Sequence, residues 1–199
     1  MDNPVLKALR ERRSIRKFKT EQISDSELQA VLEAGSWAPT AKGLQDPWIV
    51  AVQNPELRKR ISRMNAGIWG RVFDPFYGAP TYVLVFASRP EKTLNGVPDG
   101  SLVLGNMMLA AHSMGLGSCW INREREMFDT PEGKKLLAEL AEPGAAAMVS
   151  GPAGQAAELS RIPALPKDLM GIGAIALGYP AHEAPDPKPR KDGYWRVIK

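Results

Sequence analysis

The octet ERRSIRKF, Glu11 to Phe18, sets Arg12, Arg13, Arg16 and Lys17 around one hydroxyl, Ser14. Cations packed this closely beside an apolar run repel one another unless an anion joins them. Arginine forks with a neutral donor between them suit phosphate oxygens. The same residues also suit a plainer role, cations gathered at the negative end of a helix, and the segment taken alone favours that role. A second basic cluster, Lys188, Arg190 and Lys191, lies in KPRK, where Pro185, Pro187 and Pro189 stiffen the chain. It is either a solvated tail or the other half of a clamp whose two parts converge on one anion.

Two further stretches could face a flat ligand. SWAPTAKGLQDPW, Ser36 to Trp48, is turn-rich, and its small residues permit close backbone approach. GLGSCWINRE ends an apolar helix on glycines and carries a short strand to an exit at Asn122. An ordinary connection and a core strand are the bland readings of these two. GIGAIA, Gly171 to Ala176, mimics a dinucleotide-binding glycine loop, but such a loop follows a strand and opens a helix. Here the order is reversed, so the segment reads as a loop-to-strand turn. Cys119 reads as a buried strand residue and not as a nucleophile.

The elements that position these residues are legible from caps and periodicity. Val5, Leu6 and Leu9 predict a short helix ending near Arg12. Ser24 and Glu27 form a capping box for a second helix, with Gly35 as its C-cap. WIVAV predicts a buried strand, NPELRKRISRM a helix opened by Pro55, and TYVLVFA another strand. The helix in DGSLVLGNMMLAAHSMGLG, opened by Asp99, is apolar on nearly all sides and is expected to be buried and central. SCWI, a helix capped by Thr130 at TPEGKKLLAELA, and GAIALGY complete the set. The span 142–165, rich in Ala, Gly and Pro, reads as a long loop or lid, and 182–199 as an extended tail. The whole describes one domain over residues 1–199. Its class is α+β, with a small mixed, mainly antiparallel sheet around a central apolar helix.

Composition narrows the function classes. Of 199 residues, 44% are hydrophobic and the net charge is +4, a mild excess with basic residues scattered, which fits a small anion better than nucleic acid. One cysteine and two histidines exclude an intramolecular disulfide and a cysteine-based metal site. No apolar run approaches the ~20 residues that span a bilayer, so a cytoplasmic protein without membrane or nucleic-acid partners is expected.

RRSIRKF, AGSWAPTAKGLQDPW, YGAPTYVLVFA, DGSLVLGNMMLAAHSMGLGSCWI, GIGAIALGYP and KPRK stand in the order seen in nitroreductase-like flavoproteins. The resemblance runs from about Val5 to Arg196. It implies an intertwined homodimer of nitroreductase-like fold with FMN at the subunit interface, reduced by NADH or NADPH. Matched position by position, it implies that Arg12, Ser14 and Arg16, with the Arg13 backbone, meet the FMN phosphate and ribityl chain. Lys188 and Arg190 close over the phosphate. Pro39, Thr40, Ala41 and Gly43 reach in from the partner subunit. Trp120, Ile121 and Asn122 lie along the ring with the Asn122 amide toward N5, and Asn65 bonds the pyrimidine edge. No protein group is named as a catalytic acid or base. The implied reaction is ping-pong hydride transfer from NAD(P)H to a small electron-poor acceptor such as a nitroaromatic or quinone. A reductive dehalogenase, a flavin-consuming enzyme and a low-turnover flavin-storage protein are the alternatives. Gly43 stands where many members carry Asn, and QDPW is one residue longer than the commoner Gln-Pro-Trp.

Overall fold

A computed structural model of the chain describes residues 3–142 and 164–199. The span read as a lid, 142–165, falls almost wholly outside the described residues. Among the described residues, six α-helices and four strands follow in the order α1 (Pro4–Glu11), α2 (Asp25–Ser36), β1 (Trp48–Val52), α3 (Pro55–Ile68), β2 (Thr81–Ser88), α4 (Gly96–Ser113), β3 (Gly117–Ile121), α5 (Glu124–Asp129), α6 (Pro131–Leu140) and β4 (Leu169–Gly178).

The caps do what their chemistry predicts. Ser24 and Glu27 bond reciprocally at the start of α2, and Asn54 accepts from the Leu57 N–H in the first turn of α3 and Thr130 from the Gly133 N–H in that of α6. Gly35 is not the C-cap of α2 but an interior residue of it. It is glycine because a Cβ there would sit 2.8 Å from Met107 Cγ and 2.9 Å from Ile49 Cδ1, so it lets α2 press against α4 and β1. Helix α4 begins three residues ahead of Asp99. Helix α5 was not anticipated, because NRERE reads as a charged turn.

The sheet has strand order β1-β2-β4-β3. Every strand pair is antiparallel; the parallel element is an isolated bridge between Ser14 and Ser118. Strand β1 is an edge strand, so only Val52 of its five residues is fully buried. One face of the sheet packs on α2 and α4 through Val31, Val83, Val85, Leu104, Met107 and Ile175. The other face carries Leu84, Phe86, Ile121, Ala174 and Ala176 against Ile61, Phe128 and Leu136 of α3, α5 and α6. Helix α4 buries Val103, Leu104, Met107 and Ala111, while Leu102 on its other side is 47% exposed.

GIGAIA is strand, not turn. Val85 pairs with Gly173 and Phe86 with Gly171, leaving Ile172 as an extra, bulged residue. Side chains alternate faces with period two along a strand, and one bulged residue reverses the parity. A Cβ on Gly173 would meet Leu104 and Trp120, and one on Gly171 would meet Glu124. Two residues apart, they therefore front opposite faces.

Candidate functional site

Helix α1 ends at Glu11, and the chain turns extended at Arg12 (φ −54°, ψ 132°). The Ile15 N–H then donates to the Ser118 carbonyl at 2.9 Å, which lays residues 14–16 along the outer edge of β3. Three arginines thus arrive beside one end of β3. They do not share one role. Arg13 turns its guanidinium back, donating from Nη1 to the carbonyls of Arg10 (2.6 Å) and Arg12 (2.8 Å). It caps the negative end of α1, as the plainer reading of ERRSIRKF expected. Arg12 makes no such bond; its Nη1 is buried without a partner, as is Arg13 Nε. Arg16 is exposed and lies 5.9 Å from the centre of the Tyr77 ring. Among the described residues no carboxylate forms an ion pair with Arg12, Arg13 or Arg16, although eight such pairs occur elsewhere.

Strand β3 leads from this cluster to its exit. Cys119 is buried and free. Burial holds its thiol above the usual range, against the pull of Arg16, Ser14 and Arg12, so it is no ready nucleophile. Trp120 is 36% exposed and Ile121 5%. Asn122 is exposed, and Arg123 stands in the left-handed region at φ 75°. From Ser118 to Asn122 the strand covers about 13 Å.

Behind the exit lies an arrangement absent from the expected site. Asn65, from the last turns of α3, is fully buried (0% exposed). Its Nδ2 donates to the Asn122 carbonyl at 2.7 Å and to Glu124 Oε1 at 3.2 Å. Glu124, at the start of α5, is 1% exposed. Burial pushes its carboxyl up to about 8, with the Asn65 bond opposing and the Glu126 charge adding. Its niche exists because residue 171 is glycine, where a Cβ would stand 2.5 Å from the Glu124 carbonyl oxygen. Asn65 Oδ1 and Glu124 Oε2 are both buried without a partner. Asn65 was expected at the pyrimidine edge of a ligand. In the single chain it has no accessible surface and lies behind the strand exit, touching its backbone.

The remaining expected residues are elsewhere. Pro39, Thr40, Ala41 and Gly43 sit in a turn before β1, tied down where the Ala41 N–H donates to Asp99 of α4 at 3.1 Å. Strands β1 and β3 are opposite edges of the sheet, three spacings or about 14 Å apart. Lys188 and Arg190 are exposed in a tail whose residues 181–199 are all exposed. One chain therefore brings together Arg12, Ser14, Arg16 and the β3 exit, but neither the turn nor the tail. A cavity of about 490 Å³ lies away from this place, on the outer face of α3, among Arg58, Lys59, Ser62, Asp74 and Tyr82. Those groups are internally satisfied, Ser62 bonding Asp74 and Arg58 bonding the Ala79 carbonyl. The unsatisfied arginines and the strained exit mark the β3 edge instead.

The model of the Nitroreductase family matches residues 9–72 and 71–179, taking in the arginine cluster, the turn before β1 and the β3 exit. The chain belongs to the nitroreductase family. Among solved members, a nitroreductase with bound FMN from Bacteroides fragilis is 28% identical with a TM-score of 0.79, over 100% of both chains. An FMN-dependent nitroreductase from Clostridium difficile is 29% identical with a TM-score of 0.73, over 99% of this chain and 100% of that one. An FMN reductase [NAD(P)H] of Bacillus subtilis is 28% identical over 209 residues, covering 94% of this chain and 70% of that protein. This nitroreductase-family chain thus has the α+β fold that its sequence implied.

Glu124 was missed because RERE reads as a solvated charge run. The available signal was its spacing: Glu124, Met127 and Phe128 lie at i, i+3 and i+4, on one helix face with two residues that are 0% exposed.

Proposed function

We propose that the chain is an FMN-dependent oxidoreductase that takes hydride from NADH or NADPH and passes it to a small electron-poor acceptor, such as a nitroaromatic or quinone. The observation that carries this reading is the cluster of cations without carboxylate partners beside β3, one strand-length from an exposed, strained exit. The residues suit the cofactor. Arg12 Nη1 and Arg13 Nε lack partners, and a phosphate supplies acceptors for Arg12, Arg16 and the Ser14 hydroxyl. The ~13 Å from Ser118 to Asn122 leaves room for a ribityl chain and a ring along the strand.

Bound FMN supplies the hydride chemistry. The chain's own residues do the rest. Arg12, Ser14 and Arg16 anchor the phosphate, with Arg13 shaping the turn through its bonds to the end of α1. Trp120, Ile121 and Asn122 would form the wall along the ring. In a homodimer, Pro39, Thr40, Ala41 and Gly43 of one protomer, and the Lys188 and Arg190 tail, complete the partner's site. Support for the dimer is apolar surface that one chain leaves open: Val5, Leu6 and Leu9 of α1 are 62%, 41% and 54% exposed, and Trp195 and Ile198 of the tail 79% and 95%. The single domain spans residues 1–199. A reducing cytoplasm suits a chain whose one thiol is free.

The test is anaerobic. The purified protein should release FMN, not FAD, on acid extraction; NADH or NADPH should bleach the bound flavin, and a nitroaromatic or quinone should restore its colour. Absence of FMN after reconstitution, or a flavin that neither nicotinamide reduces, overturns the proposal.

A further inference from the structure

Asn65 and Glu124 are closed to solvent, so whatever they do at the site passes through a third group. That group is the Asn122–Arg123 peptide. Both hydrogens of the Asn65 amide have acceptors, the Asn122 carbonyl at 2.7 Å and Glu124 Oε1 at 3.2 Å. The amide cannot flip without breaking both bonds. The peptide that follows is planar and trans. With its carbonyl directed inward at Asn65, its N–H, carried by Arg123, points the opposite way, out toward the exposed exit.

That conformation is costly. A residue with a Cβ at φ 75° is strained, and such geometry persists only where the surroundings impose it. Three contacts impose it here: the Asn65 bond, the Arg123 guanidinium 4.6 Å from the centre of the Trp69 ring, and the Arg123–Glu126 ion pair at 2.6 Å. Two unpartnered buried oxygens, Asn65 Oδ1 and Glu124 Oε2, sit at the same place, and each raises the cost further. Strain and unsatisfied groups concentrated on one peptide are the mark of a functional constraint.

We propose that Asn65 and Glu124 are positioning residues that hold the Arg123 N–H as a fixed donor toward the ring of bound FMN, where electron density rises on reduction. The inference rests on the FMN reading above. A preorganised donor aimed at developing negative charge stabilises the reduced form more than the oxidised one. The pair therefore raises the cofactor's reduction potential and contributes less to its affinity in the oxidised state. Glu124 acts on Asn65, Asn65 on the peptide, and neither touches the cofactor.

The experiment measures the two-electron midpoint potential of FMN bound to wild type, Asn65→Leu, Glu124→Ala and Glu124→Gln, together with the affinity for oxidised FMN. Asn65→Leu and Glu124→Ala should weaken binding of the reduced form at least tenfold relative to the oxidised form, a fall of about 30 mV. Affinity for oxidised FMN should change far less. Glu124→Gln retains an acceptor oxygen for Asn65 Nδ2 and should keep the wild-type potential. A purely structural role would instead lower both affinities together and leave the potential unmoved. A readout free of variants is the Arg123 amide resonance of ¹⁵N-labelled wild type, which should shift when FMN binds and again when it is reduced. FMN uptake with an unmoved potential in both variants, or an Arg123 resonance indifferent to the flavin, overturns this inference alone. Failure of wild type to take up FMN overturns the functional reading, and the inference with it.

Discussion

Replacing Glu124 by Gln is expected to stabilise the apoprotein at neutral pH, although the residue is buried and hydrogen-bonded. A carboxyl that ordinarily titrates near 4.5 is pushed to about 8 in the folded chain, chiefly by burial, with Glu126 adding to the shift and Asn65 opposing it. Glu124 also lies against the β4 backbone at Gly171, which carries no charge. Below pH 4.5 both folded and unfolded chains hold the proton, and the contribution to stability is complete. As pH rises toward 8 the unfolded chain gives up a proton that the folded chain keeps, so stability falls by about 1.4 kcal/mol per pH unit. At pH 7 the accumulated loss is about 3 kcal/mol, and it levels off above pH 8. Glutamine has the same shape and no proton to lose. Denaturant unfolding of wild type and Glu124→Gln between pH 5 and pH 8.5 should give curves that lie close at the acid end and separate steadily with pH, the variant being the more stable. A variant less stable than wild type at pH 7.5, or a difference that stays flat with pH, would refute the reasoning by showing that Glu124 is ionised in the fold.

Arg12→Ala should weaken FMN binding by about 1.5–3 kcal/mol in a titration of apoprotein, whereas Arg13→Ala should act chiefly by loosening the end of α1, lowering thermal stability. Gly133→Ala places a Cβ 2.1 Å from the Met127 carbonyl oxygen and 2.6 Å from Phe128 Cα; denaturation should show a loss at the upper end of about 1–3 kcal/mol, because backbone must move. Removing residues 182–199, all exposed in one chain, should leave the secondary structure intact by circular dichroism. It should reduce FMN retention, and unaltered retention would count against the tail's part in the clamp.

What was legible in the sequence is what local chemistry decides. Ser24 with Glu27, Asn54 with Pro55, and Thr130 with Pro131 each mark a helix start by satisfying backbone groups within a few residues. What was not legible depends on distant neighbours. Gly35 could be assigned a cap from its type, but only Met107 and Ile49 reveal why it is glycine. Asn65 and Glu124 are 59 residues apart, and nothing local to either announces a hydrogen bond between them. At the candidate site the arginine cluster was visible as charge. Its division of labour, Arg13 turned back on α1 and Arg12 left without a partner, required the path of the chain after Glu11.

The bulge at Ile172 marks the place where β4 can change its length. Gaps between related chains normally collect in loops, where length is cheap. In β4 one residue separates two alignments of the whole strand. Excising Ile172 would restore strict alternation and yet keep Val85 opposite Gly173 and Phe86 opposite Gly171, so that Leu169 stayed in the layer it shares with Phe86 and Phe128 and Gly171 stayed beside Glu124, whereas a residue lost elsewhere in the strand turns everything beyond it to the other face. Among relatives, a one-residue gap in this strand should therefore fall at the bulge, and a single-codon deletion of Ile172, which gives up its packing against Gly100, should be less damaging than one of Ala174.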